Sequence, residues 1–265
     1  MTILLRLALT GLAAYLCFCA ALFLMQRRMI YPVPPGQPQP HYPPCRLVTF
    51  HGSDDSSYMG MYAAAPEGAR TVVAFHGNAE DLSHQDVLAA AVTGAGLGFL
   101  AVEYPGYGML SGPQPTEASN YAAAAAALRW LREQGIGPDR TVLFGQSLGT
   151  GIAMEMASHQ FADRVILVSP FTSMVRMAKK TAPIAPVGLL LRDRYNSLAK
   201  APKVTQPVLV VHGTEDEIVP YEQGAELCAA LPNGTLVTLD GMHHNDLPLA
   251  DGYPLMAQVL RFAKQ

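Results

Sequence analysis

The stretch Thr141–Gly151, TVLFGQSLGTG, decides how the chain is read. Thr141, Val142, Leu143 and Phe144 suit a short buried strand. Gly145-Gln146-Ser147-Leu148-Gly149 then spells G-x-S-x-G, and Gly151, Ile152, Ala153 and Met154 continue as a small-residue helix able to lie close against a sheet. Strand, sharp turn and helix in that order are the setting of a nucleophile elbow. Such a turn strains the serine backbone and lifts its hydroxyl clear of both neighbours, and side chains at 145 and 149 would clash in it. The N–H of Leu148 falls at a helix N-terminus, where it can meet an oxyanion. Taken alone, the pentapeptide equally describes a plain strand-to-helix turn with Ser147 as the N-cap. The rest of the chain decides between the two.

With 265 residues the chain has room for one large domain and a sizeable core. Half of the residues are hydrophobic and 15% are charged, with a net charge of −3. Three of the basic residues, Arg6, Arg27 and Arg28, lie before Tyr31, leaving 15 basic residues against 21 acidic ones. No Lys/Arg cluster follows Arg28, which argues against a nucleic-acid partner. Cys17, Cys19, Cys45 and Cys228 have neither the spacing of a disulfide framework nor that of a metal site. The Ala-rich, Lys-poor composition suggests a bacterial source.

Leu7–Gln26, LALTGLAAYLCFCAALFLMQ, is a run of 20 uncharged residues, long enough to span a membrane as a helix. A cleaved signal peptide is the rival reading. The run stays bulky through Phe23-Leu24-Met25, which matches a small-x-small cleavage site poorly and favours a retained single-pass anchor in a bacterial inner membrane. Arg6 and the amino terminus nearly balance Arg27 and Arg28, so the charges leave the orientation open. The domains expected are an anchor over 1–30, a Pro-rich spacer over 31–44 and a catalytic domain over 45–265. With seven prolines in fourteen residues, the spacer cannot be helix or central strand. It reads as an extended tether, with a proline-recognition ligand as the lesser alternative.

Downstream, Arg46–Phe50 and Gly60–Pro66 read as a hairpin around the polar turn 51–57. Strands follow at 71–75, 99–104, 141–146, 164–169, 207–211 and 235–239. Helices are expected at 83–95, 116–134, 221–231 and 253–263, and the Pro/Met/Leu-rich segment 171–206 reads as a small helical cap. Short apolar strands alternating with helices indicate an α/β fold whose mostly parallel sheet is covered on both faces.

A serine hydroxyl needs a base, an orienter for that base and donors for the oxyanion. In this topology those groups belong to loops after strands. The loop after 207–211 offers Glu215, Asp216 and Glu217. The loop after 235–239 offers His243 and His244, a pair that lacks a third ligand spaced for a metal. The loop after 71–75, His76-Gly77-Asn78, is placed to give a second oxyanion amide. Met174, Val175, Met177, Val187, Leu189, Leu190 and Leu191 of the cap either line an acyl channel or simply cover the sheet.

These segments together resemble the α/β-hydrolase superfamily, and more narrowly the Bem46-like serine hydrolases of the α/β-hydrolase-domain 17 and 13 type. The matching text is FLMQRRMIYPVP at 23–34, FHGNAEDLSH at 75–84, EYPGYGMLSGPQPTE at 103–117, FGQSLGTG at 144–151, SPFTSM at 169–174, PVLVVHGTEDEIVP at 207–220 and GMHHND at 241–246. The resemblance implies an α/β-hydrolase fold and a triad of nucleophile Ser147, acid Asp216 and base His244. It places an oxyanion amide at Asn78, beside the one the elbow offers at Leu148. It also implies membrane attachment and an acylated or small-molecule ester or thioester substrate, with no metal and no organic cofactor. A serine peptidase of the aminopeptidase-like type, or a non-catalytic binding protein on the same fold, is the alternative. The lipidated Cys-rich tail of the animal depalmitoylases is replaced here by an apolar segment with Cys17 and Cys19.

Overall fold

The computed structural model describes residues 2–33, 42–53, 55–110, 112, 114–246 and 254–265. Residues 34–41 of the Pro-rich stretch, and residues 111 and 113 of the 103–117 motif, lie outside the described residues. The sheet has eight strands among the described residues: β1 (Arg46–His51), β2 (Ser57–Ala63), β3 (Thr71–Phe75), β4 (Gly98–Val102), β5 (Thr141–Gln146), β6 (Arg164–Val168), β7 (Val208–Gly213) and β8 (Gly234–Leu239). Their order is β1-β2-β4-β3-β5-β6-β7-β8. β1, β2 and β4 pair antiparallel, and every pair from β4·β3 to β7·β8 is parallel.

β3 and β4 are buried at every position, and β7 likewise (VLVVHG). Strands covered on both faces lose the polar/apolar alternation of a half-exposed sheet. One face carries α3 (Glu117–Glu133), α4 (Leu148–Ser158) and α8 (Tyr221–Ala230); the other carries α2 (Asp86–Gly94) and α9 (Pro254–Lys264). The alanines at 123, 124, 126 and 127 are buried under α3, where small side chains let the helix approach the sheet. Between β6 and β7 the cap holds three short helices, α5 (Met174–Thr181), α6 (Val187–Leu190) and α7 (Ser197–Lys200).

Most boundaries differ from the sequence reading by one or two residues, and two elements differ by more. β2 begins at Ser57 rather than Gly60, because Ser57 and Tyr58 pair with His51 and Phe50 across the hairpin. The expected helix 83–95 is a 3-10 turn at Leu82–His84 followed by α2; Asp81 caps that turn by accepting from Ser83 N.

α1 (Ile3–Ile30) is the one helix among the described residues long and apolar enough to cross a membrane. At 1.5 Å per residue it is about 42 Å long. Its far end is built into the domain. Gln26 is buried, its Nε2 donating to Leu190 O (3.2 Å) and its Oε1 accepting from Arg192 N (2.8 Å). Arg27 pairs with Asp193 at 2.9 Å. Tyr31, which the sequence assigns to the tether, is 1% exposed and its hydroxyl lies 3.0 Å from that of Tyr195, which also accepts from Asn120 Nδ2 at 3.0 Å. Burial pushes both phenols up, so the pair stays neutral.

Candidate active site

The chain leaves β3 toward β4 on one side and returns to β5 on the other. The crevice at the C-terminal ends of β3 and β5 is therefore a topological switch point, where open α/β sheets bind ligands. Ser147 stands there, between β5 and α4, with φ 49° and ψ −114°. That left-handed backbone costs a β-carbon-bearing residue about 1–3 kcal/mol and persists only where packing enforces it. The packing leaves no slack. A β-carbon on Gly149 would lie 1.9 Å from Phe75 O, and one on Gly145 would lie 2.6 Å from Gly149 O.

Ser147 Oγ lies 3.1 Å from His244 Nε2, and His244 Nδ1 lies 2.7 Å from Asp216 Oδ2. With Nδ1–H donating to the carboxylate, Nε2 is free to accept the serine proton. His244 and Asp216 are each 6% exposed. Asp216 Oδ1 also accepts from Ile218 N (3.0 Å) and Val219 N (2.7 Å). Burial pushes this carboxyl up, but hydrogen bonds from His212 and His244, the His244 charge and the Val219 amide outweigh it and hold it well below the usual carboxylate range. His212 is a contributor that the sequence reading gave no role. Its Nε2 lies 2.9 Å from Val219 O and 3.3 Å from Asp216 Oδ2, so it pins the loop carrying the acid.

Of the rival candidates, Glu215, Glu217 and His243 are brought together elsewhere. His243 is half exposed and faces Glu217 (3.2 Å) and Glu215 (3.6 Å). The hydrogen bond that His243 gives to the Glu217 carboxylate raises its imidazole above the usual value.

Asn78 and Leu148 border the same cavity as Ser147. Neither backbone N–H has a hydrogen-bond partner among the described residues. The loop carrying Asn78 is held from below. Tyr104 donates to His76 O (2.8 Å), Tyr107 donates to Asn78 O (2.7 Å), and Glu80 accepts from Gly77 N (3.0 Å). His76 is buried, stacked on Tyr104 with ring centres 3.9 Å apart, and its ring faces Gly77 O (2.8 Å) and Glu103 (3.4 Å). Unpartnered amides beside a strained serine can stabilise negative charge on a carbonyl oxygen without reorganising.

The cavity encloses about 450 Å³. Met174, Met177, Val187, Leu190 and Leu191 of the cap line it, whereas Val175 and Leu189 do not. Leu22, Gln26, Met29 and Ile30 of α1 complete the wall, and Asn78 Nδ2 donates to Ile30 O at 3.3 Å. The sequence reading gave these helix residues no part in the site. For Gln26, Met29 and Ile30 the one signal was the FLMQRRMIYPVP match, which marks that end of the helix as more than a membrane filler; Leu22 lies outside it.

A mostly parallel sheet wrapped in helices, with a strained serine at its switch point and a buried His–Asp pair beside it, is the arrangement of the α/β-hydrolase fold. A profile of the Prolyl oligopeptidase family matches residues 112–242. An uncharacterized protein of Mycobacterium tuberculosis is 36% identical over 245 residues, covering 89% of this chain and 86% of that one. The Homo sapiens alpha/beta hydrolase domain-containing protein 17C is 35% identical over 199 residues, 71% of this chain and 57% of that protein. Among solved structures, the Pyrococcus furiosus esterase Pf2001 superposes with a TM-score of 0.71 at 18% identity, covering 87% of this chain and 97% of that one. The chain belongs to the α/β-hydrolase superfamily and is related to the domain-containing protein 17 group.

Proposed function

We propose that the chain is a membrane-anchored serine hydrolase that cleaves carboxylic esters or thioesters of acyl, lipid-like substrates. The observation that carries this reading is the Ser147–His244–Asp216 relay, at 3.1 and 2.7 Å, on the floor of a mostly apolar cavity. Ser147 Oγ attacks the acyl carbonyl while His244 Nε2 takes its proton. The amides of Asn78 and Leu148 hold the tetrahedral oxyanion. His244 then gives the proton to the departing oxygen or sulfur, leaving an acyl-serine. Water attacks that ester with His244 again as base, His244 returns the proton to Ser147 Oγ as the acyl–oxygen bond breaks, and the carboxylic acid departs. Asp216 stays ionised throughout, fixing the tautomer of His244 and balancing its transient charge.

The peptidase family match supports a second reading, since peptide bonds yield to the same relay. Holding a peptide amino terminus needs a free carboxylate in the cavity. Glu80 is the carboxylate on its wall, and its Oε2 is already engaged by Gly77 N and Gln85 Nε2. The cavity chemistry therefore favours the acyl substrate.

The full chain and Ser147→Ala, purified in detergent, are incubated with a fluorophosphonate and weighed intact. A single adduct on the parent and none on the variant is the expected result. No adduct on folded parent, or an adduct that survives Ser147→Ala, sinks the assignment.

A further inference from the structure

Leu189 and Ile184, at the tip of the cap, are 86% and 70% exposed, although large apolar side chains at such positions favour burial. The cap descends along α1. Asp193 meets Arg27, the Arg192 guanidinium sits 5.6 Å over the Phe23 ring, Leu190 O accepts from Gln26, and Ile184 O accepts from the Tyr15 hydroxyl at 3.0 Å. Contacts thus move from residue 27 to residue 15 of the helix as the cap runs from 193 back to 184, a distance of about 18 Å. Tyr15 lies midway in the uncharged run Leu7–Gln26, where Leu12 and Leu16 are also exposed. Whatever medium covers the helix at that level covers the cap tip too.

Charge points to the same medium. Residues 171–200 carry one acid, Asp193, which Arg27 neutralises, and six basic residues; Arg176 pairs with Glu226 and Lys200 with Glu155, which leaves Lys179, Lys180, Arg192 and Arg194 without an acidic partner among the described residues. Basic residues bordering an apolar tip match anionic headgroups above hydrocarbon. The cavity, in turn, lies between these two elements, with Leu22 and Met29 on the α1 side, Leu190 and Val187 on the cap side, and Ser147 at its floor.

We propose that the bilayer covers the cap tip and that the cavity opens sideways into it, so that the substrate is an acyl chain already dissolved in the leaflet around α1, entering between that helix and residues 182–190. The proposal deepens the reading of a membrane-anchored hydrolase and rests on it. It narrows the substrates to long-chain acyl esters or thioesters held by a membrane, as against short soluble ones that reach Ser147 from water.

The full chain is reconstituted in phosphatidylcholine/phosphatidylglycerol vesicles whose lipids carry bromine at mid-chain. Tryptophan is introduced singly by Leu189→Trp, Leu12→Trp and Val87→Trp, with Trp130 as a constant background. Val87 is 56% exposed on α2, on the opposite face of the sheet. Added quenching at Leu189→Trp of at least half that at Leu12→Trp, with none at Val87→Trp, is expected. Quenching of Leu12→Trp alone overturns the covered cap while the anchor stands; quenching of neither removes the anchor beneath it. Fluorophosphonate labelling of Ser147 reports separately on the hydrolase.

Substrate entry is read with Leu189→Glu, which lies outside the cavity lining. Turnover of a long-chain fluorogenic thioester in the vesicles is expected to fall at least tenfold, with turnover of soluble p-nitrophenyl butyrate unchanged. An equal change in both, or in neither, overturns the sideways route.

Discussion

At the scale of single residues, the site divides its work between groups that react and groups that hold. Asp216 is placed to hold. Asp216→Asn is expected to lower kcat about 10⁴-fold in an ester assay, since an amide can bind His244 in the unproductive tautomer. The same carboxyl ties pH to stability. Its folded pKa lies below the ordinary value of about 3.9, so its contribution is complete above that value and is lost progressively as the pH falls from there through the lower folded value. Urea unfolding followed from pH 6 down to pH 2 should show a steep acid loss in the parent and a shallower one in Asp216→Asn. For the proposed oxyanion donors the test is a backbone one. Asn78→Pro deletes the N–H and should cost about 10²–10³ in kcat, whereas Asn78→Ala keeps it and should cost under about tenfold.

At the scale of elements, the elbow works because three backbones share a space that β-carbons would fill. Gly149→Ala sets a methyl against Phe75 O at the end of β3. We expect it to destabilise the fold by about 1–3 kcal/mol in a denaturant titration, and to slow fluorophosphonate labelling as Ser147 shifts. Legibility in the sequence followed the same physics. β3, β5, β6 and β7 stood out because burial on both faces makes them unbroken apolar runs. G-x-S-x-G stood out because close approach admits only glycine at its ends. The Asp216 and His244 loops could be narrowed to a few residues by their place after β7 and β8, but choosing among adjacent acids or histidines needed family text. The start of β2 was missed because Ser57 belongs by composition to the polar turn 51–57, and its pairing with His51 across the hairpin leaves no mark in the sequence. The helix side of the cavity left no periodic trace. A span that is apolar all round shows no face, so Leu22, Met29 and Ile30 look like any other membrane-facing residues.

At the scale of the whole molecule, Asp193 is the knot. It binds Arg27 of α1, accepts from Glu117 N at the start of α3 (3.2 Å), and belongs to the cap. Asp193→Asn leaves Arg27 without its counter-charge, and should cost about 1.5–3 kcal/mol of stability and speed proteolysis within residues 182–194, read by thermal unfolding and limited digestion of the full chain.

The anchored end of α1 has one more consequence. Tyr31 is sealed in the core against Tyr195, and Gln26, Arg27 and Ile30 are each tied to the domain, so there is no slack between the helix and the catalytic floor. A domain on a loose string samples many heights and tilts; one joined this stiffly keeps a single height. In the proposed membrane-anchored hydrolase, Ser147 would then work as a depth gauge, meeting a scissile bond only where that bond rides at a matching level, and membrane thickness itself would select which esters are cut.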